Sequence, residues 1–159
     1  MKDIRTGLGY DLHRLEAGRP FILGGIHIPA DFGPVGYSDG DALIHAICDA
    51  MIGALSLGDI GQHFPDTDPE FKGINSMILL EKTMNLVRKH GYSINNIDST
   101  VILESPRISP YMDPIKESLA GVLGIPADRI SVKATTNERV DATGEGRAIA
   151  VYTSILLIK

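Results

Sequence analysis

Residues 38–55, SDGDALIHAICDAMIGAL, constrain this chain most: they read as a helix with too much apolar surface to sit anywhere but the interior. Ser38 stands where an N-cap is expected, with Asp39 and Asp41 in the first turn, at the positive end of the helix dipole. Leu43, Ile44, Ile47, Met51, Ile52 and Leu55 then recur at helical spacing. A second stripe, Asp41, His45 and Asp49, runs through that apolar surround, each four residues from the last and so on one side. Buried polar groups must be paired or bound to a metal. His45 is therefore either a core histidine bonded to Asp49 or a ligand.

The remaining bulk properties narrow the classes. With 159 residues the expectation is one domain, 1–159, built on a single core. Fifteen basic against twenty acidic residues give a net charge of −5, which leaves no electrostatic footprint for nucleic acid. An anionic substrate would have to be held by metals, backbone N–H groups and a few local cations. The one cysteine, Cys48, lies on the apolar side of the helix and reads as core. No apolar run reaches the roughly 18 residues that span a bilayer. The opening MKDIRTGLGYD lacks the apolar stretch of a signal peptide, so no membrane partner and a cytoplasmic location are expected.

Along the chain, residues 4–13 read as a strand and FILGGIHIP as a hairpin turning on Gly24-Gly25. Residues 30–37 read as a loop, and 58–73 as irregular, being rich in Gly, Pro and Asp. A second helix is expected over 76–90, stopped by Gly91, and a third over 110–123. Strands are expected over 92–103, 130–135 and 148–157. The alternation argues for an α/β domain of α+β character, with helices packed on one face of a mixed four-stranded sheet and a small hairpin beside it.

Three groups carry candidate chemistry. Asp11 and His13, two apart on a strand, project to the same face and form either a pair of metal ligands or a strand-end ion pair. With His45 they would make three ligands and an open fourth position, the layout of a catalytic rather than a structural zinc. Lys133, Ala134, Thr135, Thr136, Asn137 and Glu138, at a strand end, suit phosphate and magnesium or form a polar loop. Pro106, Arg107, Ile108, Ser109 and Pro110 are a stiff segment that reads the edge of a flat base or simply enters a helix. His27, His63 and His90 have no partner spacing and read as surface or loop residues.

Together, GYDLHRL, FILGG, SDGDALIHAICDAMIGAL, GDIGQHFPDTD, NNIDSTVILESPRISP and KATTNE resemble the 2-C-methyl-D-erythritol 2,4-cyclodiphosphate synthases nearly end to end. The resemblance implies a homotrimer with active sites between adjacent subunits. It implies Zn2+ (or Mn2+) on Asp11, His13 and His45, and Mg2+ (or Mn2+) on Glu138 with the substrate phosphates. By the same resemblance Tyr37, Ser38, Lys133 and Thr136 lie near the phosphates as catalytic residues. Asp59, Ile60 and Gly61, with Phe64, Pro65, Asp66, Thr67 and Asp68, would line the methylerythritol part, and Asp11, Leu12 and His13 would also touch the substrate. Leu103, Pro106, Arg107, Ile108 and Ser109, with Ala134 and Thr135, would hold the cytidine, and Thr136, Asn137 and Glu138 would also touch the substrate. The implied reaction closes the 2-phosphate of a 4-diphosphocytidyl-methylerythritol onto its β-phosphorus, releasing CMP.

The chain departs from the family at Tyr37, where a histidine is common, and at Ala142, Glu145 and Arg147, where the family has phenylalanine and the opposite order of charges. The second departure implies weak or absent binding of isoprenoid diphosphates on the threefold axis, or a neutral exchange of an ion pair. Two other functions fit the same ligand set: a metal-dependent phosphohydrolase of a nucleotide-linked substrate, and a nucleotide-binding module without turnover. Inorganic phosphate among the products would mark the first, and binding of CDP or CMP without turnover the second.

Overall fold

The computed structural model describes residues 3–159. Its seven strands are β1 (Ile4–Ala17), β2 (Phe21–Leu23), β3 (Ile26–Ile28), β4 (Phe32–Pro34), β5 (Ser93–Ile102), β6 (Ile130–Thr135) and β7 (Ala148–Ile158). Three long helices, α1 (Ala42–Ala54), α3 (Ser76–Lys89) and α4 (Met112–Leu123), are joined by two single-turn ones, α2 (Ile60–His63) and α5 (Asp141–Gly144). The main sheet runs β4-β1-β7-β5-β6, and β2-β3 form the separate hairpin on Gly24-Gly25 that the sequence predicts. Only β5 and β6 are parallel; β1/β7, β5/β7 and β1/β4 are antiparallel. This is a single α+β domain with a mixed sheet.

The four expected strands form the body of the sheet, and the fifth, β4, comes from residues 30–37, expected to be loop. β1 runs on to Ala17, past the predicted end, and its surplus residues Leu15 to Ala17 supply the edge that β4 pairs with. Residues 58–73 hold α2 and a 3-10 turn at Pro69–Phe71, each opened by an aspartate side chain, Asp59 and Asp68, that accepts a backbone N–H. The third helix starts at Met112 because Ser109–Tyr111 forms a 3-10 turn before it.

Helix α1 is buried on nearly all sides, as its composition requires. Its start differs from expectation. The cap is Asp41, whose carboxylate accepts from Ile44 N, and Ser38 lies outside the helix because the chain turns at Gly40, with φ +79°. Asp41 also accepts from Gly24 N at 3.0 Å and Gly25 N at 2.8 Å, so one buried carboxylate ties the hairpin turn to the helix. Burial pushes this carboxyl up, against the pull of those N–H donors.

Position along β1 comes from a close approach. Gly7 and Gly9 face α1, and a Cβ built on either would stand 1.9 Å from a helix carbonyl, of Ala50 and Ala46 respectively. Glycines on the strand and alanines on the helix let two backbones touch where side chains would hold them apart. Residues two and four further along that face of β1 are Asp11 and His13, so the contact that seats α1 also sets His45 over both. On the opposite face Leu8, Tyr10, Leu12 and Tyr152 are exposed, with the rings of Tyr10 and Tyr152 4.8 Å apart.

Candidate metal and phosphate site

Asp11 and His13 reach the site from β1 and His45 from α1. Asp11 Oδ2 lies 2.6 Å from His13 Nε2 and 3.1 Å from His45 Nδ1, and the two imidazole nitrogens are 3.0 Å apart. One ligand atom from each residue falls within 4.8 Å of the others, the one such group among the described residues. The far nitrogen of His13 faces Val35 O at 2.7 Å; a carbonyl only accepts, so Nδ1 donates and Nε2 is left to ligate. The far nitrogen of His45 has Ser38 Oγ and Ser76 Oγ each at 2.9 Å. His45 does not pair with Asp49, which accepts instead from Ile60 N at 3.1 Å. The donor set, two imidazoles and a carboxylate with both rings oriented from behind, fits a divalent transition metal with room for an exogenous ligand.

Electrostatics agree with that reading. Burial would raise the Asp11 carboxyl, but hydrogen bonds from His13 and His45 and their charge outweigh it and hold it at about 2. Burial would lower His13, and the Asp11 carboxylate, with Val35 O, more than reverses this, so its pKa is raised.

The triad opens into a cavity of about 540 Å³ lined by Tyr37, Ser38, Ile60, Gly61, Phe64, Pro65, Asp66 and Thr67, all expected site residues, together with Phe71 and Leu79, which were not. Asp59 and Asp68 do not line it: the first caps α2 and the second caps the 3-10 turn. Tyr37 reaches over to that turn, donating its phenol O–H to Asp68 O at 3.2 Å. A second cavity of about 430 Å³ gathers Leu103, Pro106, Arg107, Ile108, Ser109, Ala134, Thr135 and Thr136, with Glu104 and Met112 added.

The two cavities are separate in one chain. Thr135 stands opposite Ile102, Ile102 opposite Ala150 and Ala150 opposite Leu12. That row is three strand spacings wide, roughly 14 Å. Leu12 points away from the triad, to the exposed face. Lys133 Nζ is held by Asp98 at 2.6 Å, and Asn137 Nδ2 donates to Asp141 Oδ2 and Thr143 Oγ1. Glu138, with φ +50°, lies in neither cavity and does not join the triad. Arg147 pairs with Glu145 of its own chain at 2.6 Å, beside a third cavity of about 290 Å³ that Ala142 and Arg147 help line.

The chain is 48% identical over 154 residues to a 2-C-methyl-D-erythritol 2,4-cyclodiphosphate synthase of Syntrophobacter fumaroxidans, covering 97% of each protein. It superposes on the bifunctional IspDF of Campylobacter jejuni with TM-score 0.95 and 39% identity, over 99% of this chain and 43% of that longer one. It superposes on a CDP complex of IspF from Plasmodium falciparum with TM-score 0.86 and 37% identity, over 98% and 96% of the two chains. The sequence model of the YgbB family matches residues 4–158, and this chain belongs to that family.

Proposed function

We propose that this chain converts 4-diphosphocytidyl-2-C-methyl-D-erythritol 2-phosphate into 2-C-methyl-D-erythritol 2,4-cyclodiphosphate and CMP, as a phosphorus–oxygen lyase of non-mevalonate isoprenoid biosynthesis. One observation carries this: the match to synthases of that name runs over 97% of both chains, in a protein whose Asp11, His13 and His45 converge at one cavity. Nothing in either cavity favours the phosphohydrolase.

An oxygen of the 2-phosphate attacks the β-phosphorus in line. The new P–O bond forms as the bond from the β-phosphorus to the bridging oxygen breaks, and the electron pair leaves with CMP. A phosphate monoester, with a second pKa near 6, is mostly dianionic at neutral pH, so no general base is needed. The work left to the protein is to hold two anions together in a ring-closing geometry. Asp11, His13 and His45 would hold Zn2+ (or Mn2+) and Glu138 Mg2+ (or Mn2+), ions whose chemistry is neutralising phosphate oxygens and clamping donor to acceptor. Ser38 and Tyr37 orient phosphate at the mouth of the first cavity, and residues 60–67 exclude water around the methylerythritol part. Residues 103–109 with Ala134 and Thr135 hold the cytidine. Thr136 donates its hydroxyl to the diphosphate, and Lys133 swings to it from Asp98.

Because the diphosphate must reach both cavities, the working unit is a homotrimer in which each site takes its metal half from one subunit and its nucleotide half from the next. The exposed apolar sheet face, Leu8, Tyr10, Leu12 and Tyr152, supports this, since a monomer gains nothing by leaving it in water. Among the described residues no helix is long and apolar enough to cross a membrane, and we place the reaction in the cytoplasm. Phosphorus NMR of the products, with CMP measured in parallel, tests the reading. The cyclic diphosphate with stoichiometric CMP is expected; inorganic phosphate or an acyclic product would overturn it.

A further inference from the structure

Two residues outside the expected set stand behind His45. Ser76, the first residue of α3, is fully buried, and its Oγ donates to Asp39 Oδ1 at 2.5 Å. Asp39 Oδ2 accepts the backbone N–H of Ser76 at 2.9 Å, so carboxylate and serine are held by two parallel bonds. Asp39 is in turn seated by its own N–H on Ile74 O at 3.1 Å and by Asp41 N on Oδ1 at 3.1 Å. A serine hydroxyl has one proton, and here it points at the carboxylate, which can only accept. What Ser76 Oγ offers His45 Nε2 at 2.9 Å is therefore a lone pair. An unprotonated Nε2 would meet it lone pair to lone pair.

We propose that Asp39 and Ser76 are positioning residues that hold His45 as its Nε2–H tautomer, with the Nδ1 lone pair aimed between Asp11 and His13. The relay runs from His45 Nε2–H to Ser76 Oγ and from Ser76 O–H to Asp39. It does for His45 what Val35 O does for His13, so each ring keeps its proton on the far nitrogen when the near one ligates. The carboxylate at the end of the relay makes the imidazole a better donor to a cation, as an outer carboxylate does for a ligating histidine. Ser38 Oγ, on the same nitrogen, has Ser76 Oγ at 3.3 Å as an acceptor for its own proton. The inference rests on the metal site proposed above: with no ion, Asp11 Oδ2 at 3.1 Å can accept a proton from Nδ1, and the relay holds the ligating form once a cation takes that proton's place.

Two measurements separate the parts. In the zinc-loaded protein the Nε2–H proton of His45 should give an exchange-protected, downfield NMR signal. Ser76→Ala should lose that protection; no protected Nε2–H signal in the unsubstituted protein, or no change in the variant, would overturn the relay. Zinc affinity by chelator competition should then fall roughly 10- to 100-fold in Ser76→Ala and Asp39→Asn. Ser76→Thr, which keeps the hydroxyl, should restore it. Asn75 supplies the cap of α3, so Ser76→Ala keeps the helix start, and circular dichroism checks this. Equal zinc affinity in Ser76→Ala and the unsubstituted protein would overturn the positioning role. Failure of the unsubstituted protein to bind zinc any better than Asp11→Ala would overturn the metal site and the positioning role with it.

Discussion

The two halves of the candidate site are built differently. Around Asp11, His13 and His45 every ligand comes from a long regular element and sits half-buried or deeper, and each imidazole has a partner behind it. Around Lys133 to Glu138 the chain leaves β6 for an exposed loop in which Glu138, Arg139 and Asp141 all have positive φ, 50° to 64°, and Lys133 is engaged with Asp98. Rigid elements hold a constellation more tightly than loops do, so the first half is ready in a single chain and the second is not. The contrast teaches where the missing contacts must come from: the loop needs substrate phosphates, an ion, or a neighbouring subunit to take up its free groups.

The largest expected effect breaks the rigid half. His45→Ala removes one of three ligands and should lower turnover by more than about a thousandfold, with metal analysis showing an empty site and sedimentation an unchanged assembly. Near-normal turnover without bound metal would contradict the assignment. Gly9→Ala tests how that half is positioned without touching a ligand. Its Cβ would stand 1.9 Å from Ala46 O, so strand and helix must separate. Overpacking of this kind should cost about 3 kcal/mol in denaturant unfolding and weaken zinc binding as well. The same change at Gly53, where a Cβ meets nothing, should cost neither.

The loop half should respond more mildly. Glu138→Gln is expected to leave zinc in place and to shift the magnesium dependence of the rate to higher concentration, about tenfold, because an amide is a poorer ligand for a hard cation. An unchanged magnesium titration would count against Glu138.

The smallest effect is in pH. The Asp11 carboxyl is depressed to about 2, so its pairing stabilises the metal-free protein above about pH 4 and is lost as pH falls toward 2. His13 is raised, so its share is fully present below about pH 6.5 and is lost as pH rises through its folded value. Metal-free protein should therefore gain from this pair chiefly between those limits. His13→Asn should flatten the alkaline side of a plot of melting temperature against pH, and zinc affinity should rise over that same range as the proton leaves.

Much of the rigid half is legible in the sequence because it is periodic. Asp11 and His13 share a face by the two-residue repeat, and His45 stands out as a polar residue on an apolar helix. The helix start at Ser38 is misread because the turn at Gly40 depends on Pro34, whose carbonyl would lie 2.8 Å from a Cβ there, and nothing local announces it. The pairing of His45 with Asp49 follows the helical repeat, but α2 supplies Asp49 with a backbone N–H and leaves His45 to Asp11 and Ser76. Asp39 and Ser76 are 37 residues apart, and each reads alone as an ordinary residue at a helix start. Gly7 and Gly9 read as part of a strand; their purpose depends on which helix crosses them. The loop half is legible only by resemblance to a family, since its residues carry no repeat and Glu138 lies in neither cavity.

That division is tested most directly by complementation. One variant, His45→Ala, lacks the metal half; another, Lys133→Ala with Thr136→Ala, lacks the nucleotide half; each alone should be inactive. Unfolded together in equal amounts, refolded and assayed for CMP release, the whole population should recover about a quarter of the unsubstituted activity, because on random assembly one interface in four pairs two intact halves. Recovery at that level is the result the account predicts. Mixed assemblies, verified by mass, that stay as inactive as either parent would place both halves of each site in one chain and contradict it.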